Sequence, residues 1–312
     1  MESSARPPAQ VEAPARGGGK WQATPMLPGV VDDLVGRYLR RVDIAIPGAI
    51  EGFYVVGSTA LGAFRPGRSD VDFVAVIGDQ LRAAELSRLR WAQRRLYVTD
   101  LARAFRRPPW RWPLTCNGVF VRWADLGGSP LRAVPIASHS GWRFATGRGF
   151  DANPVTWRVL AERGIGVRGP DPARLGIFHD EAELRRWCVR NLDGYWRRWA
   201  NLVLHPGPGA ARLRLLHGVV SGVLGAPRLH RTVLYGDIIS KEAAGEYAVA
   251  AFGDRWRPMM EDALAFWRGE LSAGPFRLAG RRRREAARFV LEVVESGCAY
   301  GSDLDRRGDA EE

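Results

Sequence analysis

The stretch from Gly57 to Asp72 constrains the fold of this chain more than any other part of the sequence. It reads Gly-Ser-Thr-Ala-Leu-Gly-Ala-Phe-Arg-Pro-Gly-Arg-Ser-Asp-Val-Asp, so a Gly-Ser turn is followed, after eleven intervening residues, by two carboxylates at positions i and i+2. The flanking segments, Phe53 to Val56 and Val71 to Ile77, are rich in β-branched and aromatic residues, which predicts two strands. The turn and the carboxylates should therefore lie on neighbouring strands.

The spacing of Asp70 and Asp72 suits a metal ion. Residues two apart in a strand share a face, so both carboxylates can ligate one hard cation such as Mg2+. Gly57 lets the backbone approach a phosphate, and Ser58 opens a short helix whose amides would face that anion. An aspartate pair alone is common on solvated strand edges, but the Gly-Ser turn at this distance makes the pattern restrictive. We expect catalytic and metal-binding aspartates, with Gly57 and Ser58 binding a nucleotide.

This string resembles the signature of the nucleotidyltransferase superfamily of the DNA polymerase β type, in which the two Asp bind Mg2+ and the turn holds the nucleotide phosphates. A second stretch, from Pro227 to Ala244, looks like the C-terminal helical domain of streptomycin/spectinomycin (aminoglycoside) adenylyltransferases. In that family an Arg and a Lys thirteen residues apart contact the triphosphate, and Arg228 and Lys241 occupy the matching places. The resemblance covers most of the chain from about Pro28 to Phe266.

Composition singles out Lys241 independently. The chain has 46 Lys plus Arg, but Lys20 and Lys241 are its only lysines. Where a generic positive charge suffices, this sequence uses Arg, so the lysine inside the folded region is expected to serve as a compact ammonium at a phosphate. The alternative is a helix-start lysine of no consequence.

Residue patterns predict an α+β fold, a small mixed-sheet domain followed by an all-α helical bundle. The resemblance implies that the mixed-sheet domain is a nucleotidyltransferase domain. The expected segments are a disordered leader (1–27), the catalytic domain (28–150), the helical domain (151–300) and a frayed acidic tail (301–312). Within the catalytic domain we expect a helix over Ala83 to Arg94, then a strand over Leu96 to Thr99. Most of Leu101 to Phe150 is rich in Pro, Gly and Trp, which predicts irregular structure with one strand at Val119 to Trp123.

The family resemblance also implies a third carboxylate, a general base on the strand after the second helix. At that place the sequence has Tyr97 or a neighbouring Arg, and the nearest acid is Asp100. An ordinary tyrosine is a poor base at pH 7, and Asp100 could serve only if the strand ended by Thr99. Asp72 alone could otherwise do this work, since such transfers depend mainly on positioning and charge neutralisation.

The acceptor should lie between the domains, near Trp123 and a helix that offers Asn191, Asp193 and Tyr195 as polar contacts. The Pro109 to Pro113 segment and Trp123 resemble aromatic elements of the drug-modifying family members, although a structural role for Trp123 is equally expected. Residues 194 to 236 contain six Arg and no acid, which argues against a polycationic acceptor in that region.

Composition bounds the partners. With 312 residues the chain can bury two modest cores, and its three dispersed cysteines indicate neither a zinc site nor disulfides. The apolar runs are far shorter than the ~18 residues that span a bilayer, so we expect a cytoplasmic protein without a membrane partner. The net charge of +12 is almost wholly arginine spread along helices. We therefore expect no nucleic-acid partner, and a monomer.

Together these observations predict a Mg2+-dependent enzyme that transfers AMP from ATP to a hydroxyl of a small molecule, an aminoglycoside-like antibiotic or another polyol, and releases pyrophosphate. Antibiotic resistance would be the biological role for a drug acceptor. Two alternatives remain open: a protein AMP-transferase of the antitoxin type, and a catalytically silent nucleotide-binding regulator.

Overall fold

A computed structural model describes residues 27–106, 114–205, 216–270 and 279–311. The chain divides into two compact units, with the boundary between His179 and Asp180. The first unit contains a sheet with helices on both sides, and the described part of the second is helical. This arrangement confirms the expected α+β class with a helical C-terminal part.

The described part of the first unit contains a six-stranded mixed sheet. Its strands are β1 (Ile50–Val56), β2 (Val71–Ile77), β3 (Cys116–Val121), β4 (Ala137–Ser140), β5 (Arg143–Ala145) and β6 (Ile165–Arg168), in the order β5-β4-β3-β2-β1-β6. The β2–β3 pair is parallel and the other pairs are antiparallel. The helices of this unit are α1 (Gly29–Ala45), α2 (Gly57–Ala60), α3 (Ala83–Phe105), α4 (Trp123–Leu126) and α5 (Pro154–Arg163), with a 3-10 turn at Pro172–Arg174.

One face of the sheet packs against an apolar core. Because side chains alternate along a strand, Val71, Phe73 and Ala75 of β2 point into this core, where they meet α1. The apolar residues of α1 recur at helical spacing, and Val31, Leu34, Val35, Tyr38, Leu39 and Val42 are all buried. The intervening β2 residues, beginning with Asp72, face the opposite side of the sheet.

The predicted strand at Leu96 to Thr99 is wrong, because these residues continue helix α3. Leu89, Ala92, Gln93 and Asp100 are buried, and Leu96 packs against the core, so spacings of three and four residues place these side chains on one face of a helix. Burial along that face decided the structure, and the short run of strand-favouring residues within it did not.

The strand that follows α3 in the sheet is instead β3. It begins at Cys116, three residues before the predicted strand, and Trp123 belongs to α4. Strands β4 and β5 lie within the segment for which irregular structure was expected.

The boundary between the units also differs from the expected one. Residues 151–179 were assigned to the helical domain, but α5 and β6 belong to the first unit, and β6 pairs with β1 at the edge of the sheet. A strand as short as Ile165–Arg168 is stabilised by its neighbour in the sheet, which the local sequence does not reveal.

The second unit consists of packed helices. They are α6 (Glu181–Asn191), a π-helical segment (Leu192–Trp196), α7 (Arg197–Leu204), α8 (Leu216–Tyr235), α9 (Lys241–Phe252), a 3-10 turn (Asp254–Trp256), α10 (Arg257–Arg268) and α11 (Ala279–Glu311). Glycines in α8 make room for indoles of the preceding helices: a Cβ at Gly222 would overlap Trp199, and one at Gly225 would overlap Trp196. The expected frayed tail is instead helical, because α11 continues to Glu311. In the described parts of the chain, no helix combines the length and apolarity needed to cross a membrane.

Candidate active site

The turn after β1 meets the second aspartate directly. Strands β1 and β2 are neighbours, as predicted. They run antiparallel, and their register pairs Val56 with Asp72. Gly57 follows with a φ of 61°, a left-handed conformation that favours glycine. A Cβ at Gly57 would overlap the Asp72 carboxylate and lie 2.9 Å from its Cγ. The turn therefore requires glycine both for its backbone conformation and for the space that the carboxylate occupies.

Ser58 lies in helix α2, which is a single turn over Gly57–Ala60. Its carbonyl accepts a hydrogen bond of 2.8 Å from the Ala63 amide, which closes the loop after the helix. The neighbouring Thr59 is buried, and its hydroxyl has no hydrogen-bond partner among the described residues. The turn is thus compact, and it encloses a polar side chain two residues after Gly57.

Asp70 lies immediately before β2, and Asp72 is its second residue. Both side chains are partly exposed. The Thr115 hydroxyl donates a hydrogen bond of 3.1 Å to Oδ1 of Asp70. Thr115 itself is buried, and its carbonyl accepts from the Val71 amide, so it extends the β2–β3 ladder by one residue. This contact orients the first aspartate, and it was not predicted from the sequence.

Strand β3 supplies a second missed residue, Asn117. The parallel register places it beside Asp72, and because neighbouring residues in register share a face, both side chains belong to the same side of the sheet. Oδ1 of Asn117 accepts a hydrogen bond of 2.9 Å from the Gly141 amide in the β4–β5 turn. Strand β3 contains no carboxylate. A third acid is therefore absent from the strand next to the aspartates, as it was from the segment assigned to that place in the sequence.

The signal that could have located Asn117 is the apolar run that ends in Val119, Phe120 and Val121. Every residue of β3 is buried, which is typical of a central strand. Part of this run was predicted as a strand, but the strand expected to follow the second helix, with the third acid, was assigned to Leu96 to Thr99. That assignment hid the pairing that brings Asn117 to the site.

Tyr97 and Asp100, the considered substitutes for a base, both lie in α3. Asp100 is buried and paired with Arg103 at 3.0 Å and Arg37 at 3.8 Å. Burial raises the pKa of the Asp100 carboxyl despite these two cations. Its two arginine partners belong to α1 and to α3 itself, and Asp100 lines a small cavity together with Thr115 and Cys116. This placement favours a structural ion pair over the role of a general base.

The two aspartates fit a magnesium ion that also binds phosphate. Mg2+ is usually held in proteins by one or two carboxylates, with waters and phosphate oxygens as the other ligands. Among the described residues, no three side chains of His, Cys, Asp or Glu are grouped so that they could hold a metal without such help. The close approach of Gly57 to Asp72 leaves backbone rather than a side chain next to the carboxylate. These donors suit an ion shared with a substrate better than a permanently bound structural ion.

In the second unit, Arg228 and Lys241 are brought to one loop. Gly236 ends α8 with a φ of 77°, and Ser240 caps α9 by accepting from the Ala243 amide at 3.1 Å, both as predicted. Nε of Arg228 donates a hydrogen bond of 2.9 Å to the Ile239 carbonyl, two residues before Lys241. The two cations therefore lie at the start of α9.

Lys241 is the first residue of α9 and is partly exposed. Its ammonium lies 4.2 Å from the centroid of the Trp267 ring, over the indole face. Such a contact holds a cation without neutralising its charge. The protein thus holds the ammonium of Lys241 in a defined orientation against the indole face.

The structure gives Trp123 a buried position. Only 4% of it is exposed, and its indole nitrogen donates a hydrogen bond of 2.7 Å to Glu51. The ring also packs close to Gly52 of β1, where a Cβ would lie 3.2 Å from it. Of the two roles considered, these contacts favour the structural one. The Pro109 to Pro113 segment lies outside the described residues.

The other expected acceptor residues lie at the π-helical segment between α6 and α7. Asn191 ends α6, and Tyr195 is 52% exposed. Asp193 accepts a hydrogen bond of 2.8 Å from Nε of Arg197, four residues later. π-helical segments within α-helices are often found at functional sites. The ion pair offsets the charge of Asp193, so this surface offers little attraction for a cation.

A comparison with solved structures finds a protein whose fold is similar to that of this chain. The chain matches the crystal structure of spectinomycin adenyltransferase AAD(9) from Enterococcus faecialis, with ATP and spectinomycin, at a TM-score of 0.63. The match covers 85% of this chain and 99% of that one, at 12% sequence identity. No protein-family model matches the sequence, and no curated protein does. The fold is therefore nucleotidyltransferase-like, and the likeness at this identity shows the fold alone.

Proposed function

We propose that this protein is a Mg2+-dependent nucleotidyltransferase that transfers AMP from ATP to a hydroxyl group of a small-molecule acceptor. The observation that carries the proposal is the contact between the left-handed Gly57 turn and Asp72, with Asp70 two residues away. Backbone that approaches a phosphate and carboxylates that hold its counterion are needed together for polyphosphate chemistry. A solvated strand edge would need neither the glycine nor the close contact.

In the proposed reaction each residue has a defined task. Asp70 and Asp72 hold Mg2+, with Asp70 kept in position by Thr115. The bound ion supplies charge neutralisation for the phosphates. Gly57 and Ser58 bind phosphate through the backbone, while Arg228 and Lys241, assigned by resemblance, bind the pyrophosphate leaving group.

The transfer itself exchanges one phosphorus–oxygen bond for another. The acceptor hydroxyl oxygen forms a bond to the α-phosphorus, the bond from that phosphorus to the bridging oxygen of the β-phosphate breaks, and pyrophosphate leaves. The hydroxyl proton passes to Asp72, since β3 offers no carboxylate. Phosphoryl-type transfer of this kind depends mainly on positioning and electrostatic stabilisation, so a strong base is not essential.

Acceptor binding is assigned to Asn191, Asp193 and Tyr195, while Trp123 takes the structural role that its burial and its contact with Glu51 favour. The Asp193–Arg197 ion pair, and the sequence count of six Arg and no acid in residues 194 to 236, favour a neutral polyol, or an aminoglycoside-like antibiotic of low charge, over a polycation. Antibiotic resistance is the corresponding role if the acceptor is a drug. The protein is expected to act as a cytoplasmic monomer.

A second candidate function is a catalytically silent nucleotide-binding protein. The observation in its favour is Asn117, which stands beside Asp72 where a carboxylate would help to deprotonate the acceptor. Such a protein would bind ATP with Mg2+ through the same aspartates but would not turn it over. A protein AMP-transferase has no comparable support in the structure.

One experiment separates these functions. Purified protein is incubated with ATP labelled at the α-phosphate, Mg2+ and a panel of aminoglycosides and neutral polyols, with Asp70→Asn and Asp72→Asn as matched variants of equal size. Label on a small molecule, lost in both variants, supports the proposal. Label on protein indicates the AMP-transferase alternative, and ATP binding without product indicates the silent one. Product formation that survives both substitutions would contradict every role assigned to the aspartates.

A further inference from the structure

The position of Asn117 in the sheet gives it access to the same ligand as the aspartates. The strand order β3-β2-β1 places Asn117 on one side of Asp72 and Gly57 on the other. Neighbouring strands lie about 4.8 Å apart, so a side chain in register with Asp72 is within reach of any group bound there. A ligand that spans this face from the Gly57 turn meets Asn117 at the far side of Asp72.

A hydrogen bond sets the orientation of the Asn117 carboxamide. The Gly141 amide can donate only to the oxygen end of the group, which it does at 2.9 Å. Gly141 lies in the turn after β4, and β4 is on the opposite side of β3 from β2. The hydrogen bond therefore holds the oxygen on the β4 side of β3. Because the oxygen and nitrogen of a carboxamide branch in different directions from Cγ, this orientation leaves the nitrogen end for the side of β2 and its aspartates.

The nitrogen end is available for a ligand. Among the described residues no group accepts a hydrogen bond from Nδ2 of Asn117. Nor is this atom fully enclosed by protein, so a ligand can reach it. The residue as a whole is only 8% exposed, so its side chain is held in place by its surroundings. A fixed N–H donor next to two carboxylates cannot bind a metal ion, but it can bind the anion that such an ion brings.

We propose that Asn117 is a catalytic residue that donates a hydrogen bond from Nδ2 to a non-bridging oxygen of the α-phosphate, the group that is transferred. This inference rests on the proposed function and deepens it. Phosphate oxygens only accept hydrogen bonds, and they carry the charge of the transition state. Asn117 thus offsets part of the repulsion between the phosphate and the aspartates. A carboxamide is not basic, so β3 stabilises the phosphate and does not deprotonate the acceptor.

The test uses Asn117→Asp, a substitution of almost equal volume. One aspartate oxygen still accepts from the Gly141 amide, while the other replaces the donor with a negative charge. The probe is α,β-methylene-ATP, which is not cleaved at this position, and its affinity is measured by titration calorimetry with EDTA and again with Mg2+. The matched control is Asn201→Asp on the exposed surface of α7, which changes the net charge equally.

We expect Asn117→Asp to weaken binding at least about tenfold under both conditions, and Asn201→Asp to leave it within about twofold of wild type. Asn117→Ala, which removes the donor without adding charge, should weaken binding about three- to tenfold. This variant keeps the test decisive if Asn117→Asp does not fold. Thermal unfolding of each variant checks that the fold is intact.

Affinity equal to that of wild type in either folded Asn117 variant would overturn the inference. Tighter binding of Asn117→Asp with Mg2+ would do so too, since it would show that this position is suited to a metal ligand. A wild-type protein that binds no analogue refutes the proposed function, and this inference with it. Wild-type binding that is lost in Asp72→Asn but unaffected by the Asn117 substitutions refutes only the role of Asn117.

Discussion

Replacing Gly57 by alanine should damage the site through a steric effect that a second glycine allows us to isolate. Gly62 lies in the same loop with a φ of 68°, close to the 61° of Gly57, but a Cβ there has no heavy atom within 4 Å. Alanine at either position must adopt a left-handed conformation, at a cost of about 1 to 2 kcal/mol. Alanine also restricts the unfolded chain, which offsets about 0.5 to 1 kcal/mol of that cost. Gly62→Ala should therefore lower the free energy of unfolding by about 1 kcal/mol.

Gly57→Ala carries the same strain and, in addition, displaces Asp72. Its Cβ would lie 2.9 Å from Cγ and closer still to Oδ2, whereas ordinary contacts begin near 3.4 Å. The carboxylate must retreat, and overpacking of this kind typically costs about 1 to 3 kcal/mol. The expected total loss of stability is about 2 to 4 kcal/mol. Because a displacement near 1 Å can cost about a hundredfold in rate, we expect a comparable loss in AMP transfer.

The assay combines urea unfolding with a Mg2+ titration of nucleotide binding and pyrophosphate release. Gly62→Ala should retain near-normal binding and turnover, and Gly57→Ala should lose both while remaining folded at low temperature. In an Asp72→Ala background, most of the extra stability cost of Gly57→Ala should disappear, since the clashing carboxyl group is gone. Equal effects of the two glycine substitutions on nucleotide binding would refute the steric argument and the site built on it.

Three further outcomes follow from individual contacts. Thr115→Val removes the hydrogen bond to Asp70, so the Mg2+ concentration needed for half-maximal turnover should rise about tenfold, and Thr115→Ser should restore it. An unchanged Mg2+ dependence in Thr115→Val would show that Asp70 does not need this hydrogen bond. Lys241→Met should weaken ATP binding about tenfold but leave AMP binding unchanged, since AMP lacks the pyrophosphate that the ammonium would contact; equal losses for both nucleotides would contradict that role. Burial raises the pKa of the Asp151 carboxyl to about 6, so the folded protein binds the carboxyl proton more strongly than the unfolded chain does. The free energy of unfolding therefore falls as the pH rises from about 4 to 6. Asp151→Asn should therefore be more stable than wild type by about 2 to 3 kcal/mol at pH 7 and nearly equally stable near pH 4, measured by urea unfolding. A constant difference across this range would contradict the raised pKa of Asp151.

Much of the site could be predicted from local sequence because its parts are close along the chain. The Gly-Ser turn and both aspartates lie within sixteen residues, and two strands joined by such a segment commonly pair with each other. The caps around Lys241 were equally readable, since a glycine after one helix and a serine before the next are local signals. These predictions needed no knowledge of distant contacts.

The contributions of β3 could not be obtained in this way. Thr115 and Asn117 are more than forty residues from Asp70 and Asp72, and only the parallel pairing of β3 with β2 brings them together. A short apolar strand does not reveal its neighbour in a sheet. The wrong strand at Leu96 to Thr99 had the same origin, because burial of one face of α3 decided the structure of that segment.

The sequence by itself determined the α+β class, the Gly57 turn, the paired aspartates and the helix start at Lys241. Each of these depends on patterns among residues that are close together along the chain. The tertiary structure alone decided which strand lies beside the aspartates, that Asn117 rather than an acid stands there, and that α5 and β6 belong to the sheet. These features depend on which distant segments pair and pack together, and that choice is made by burial over the whole unit.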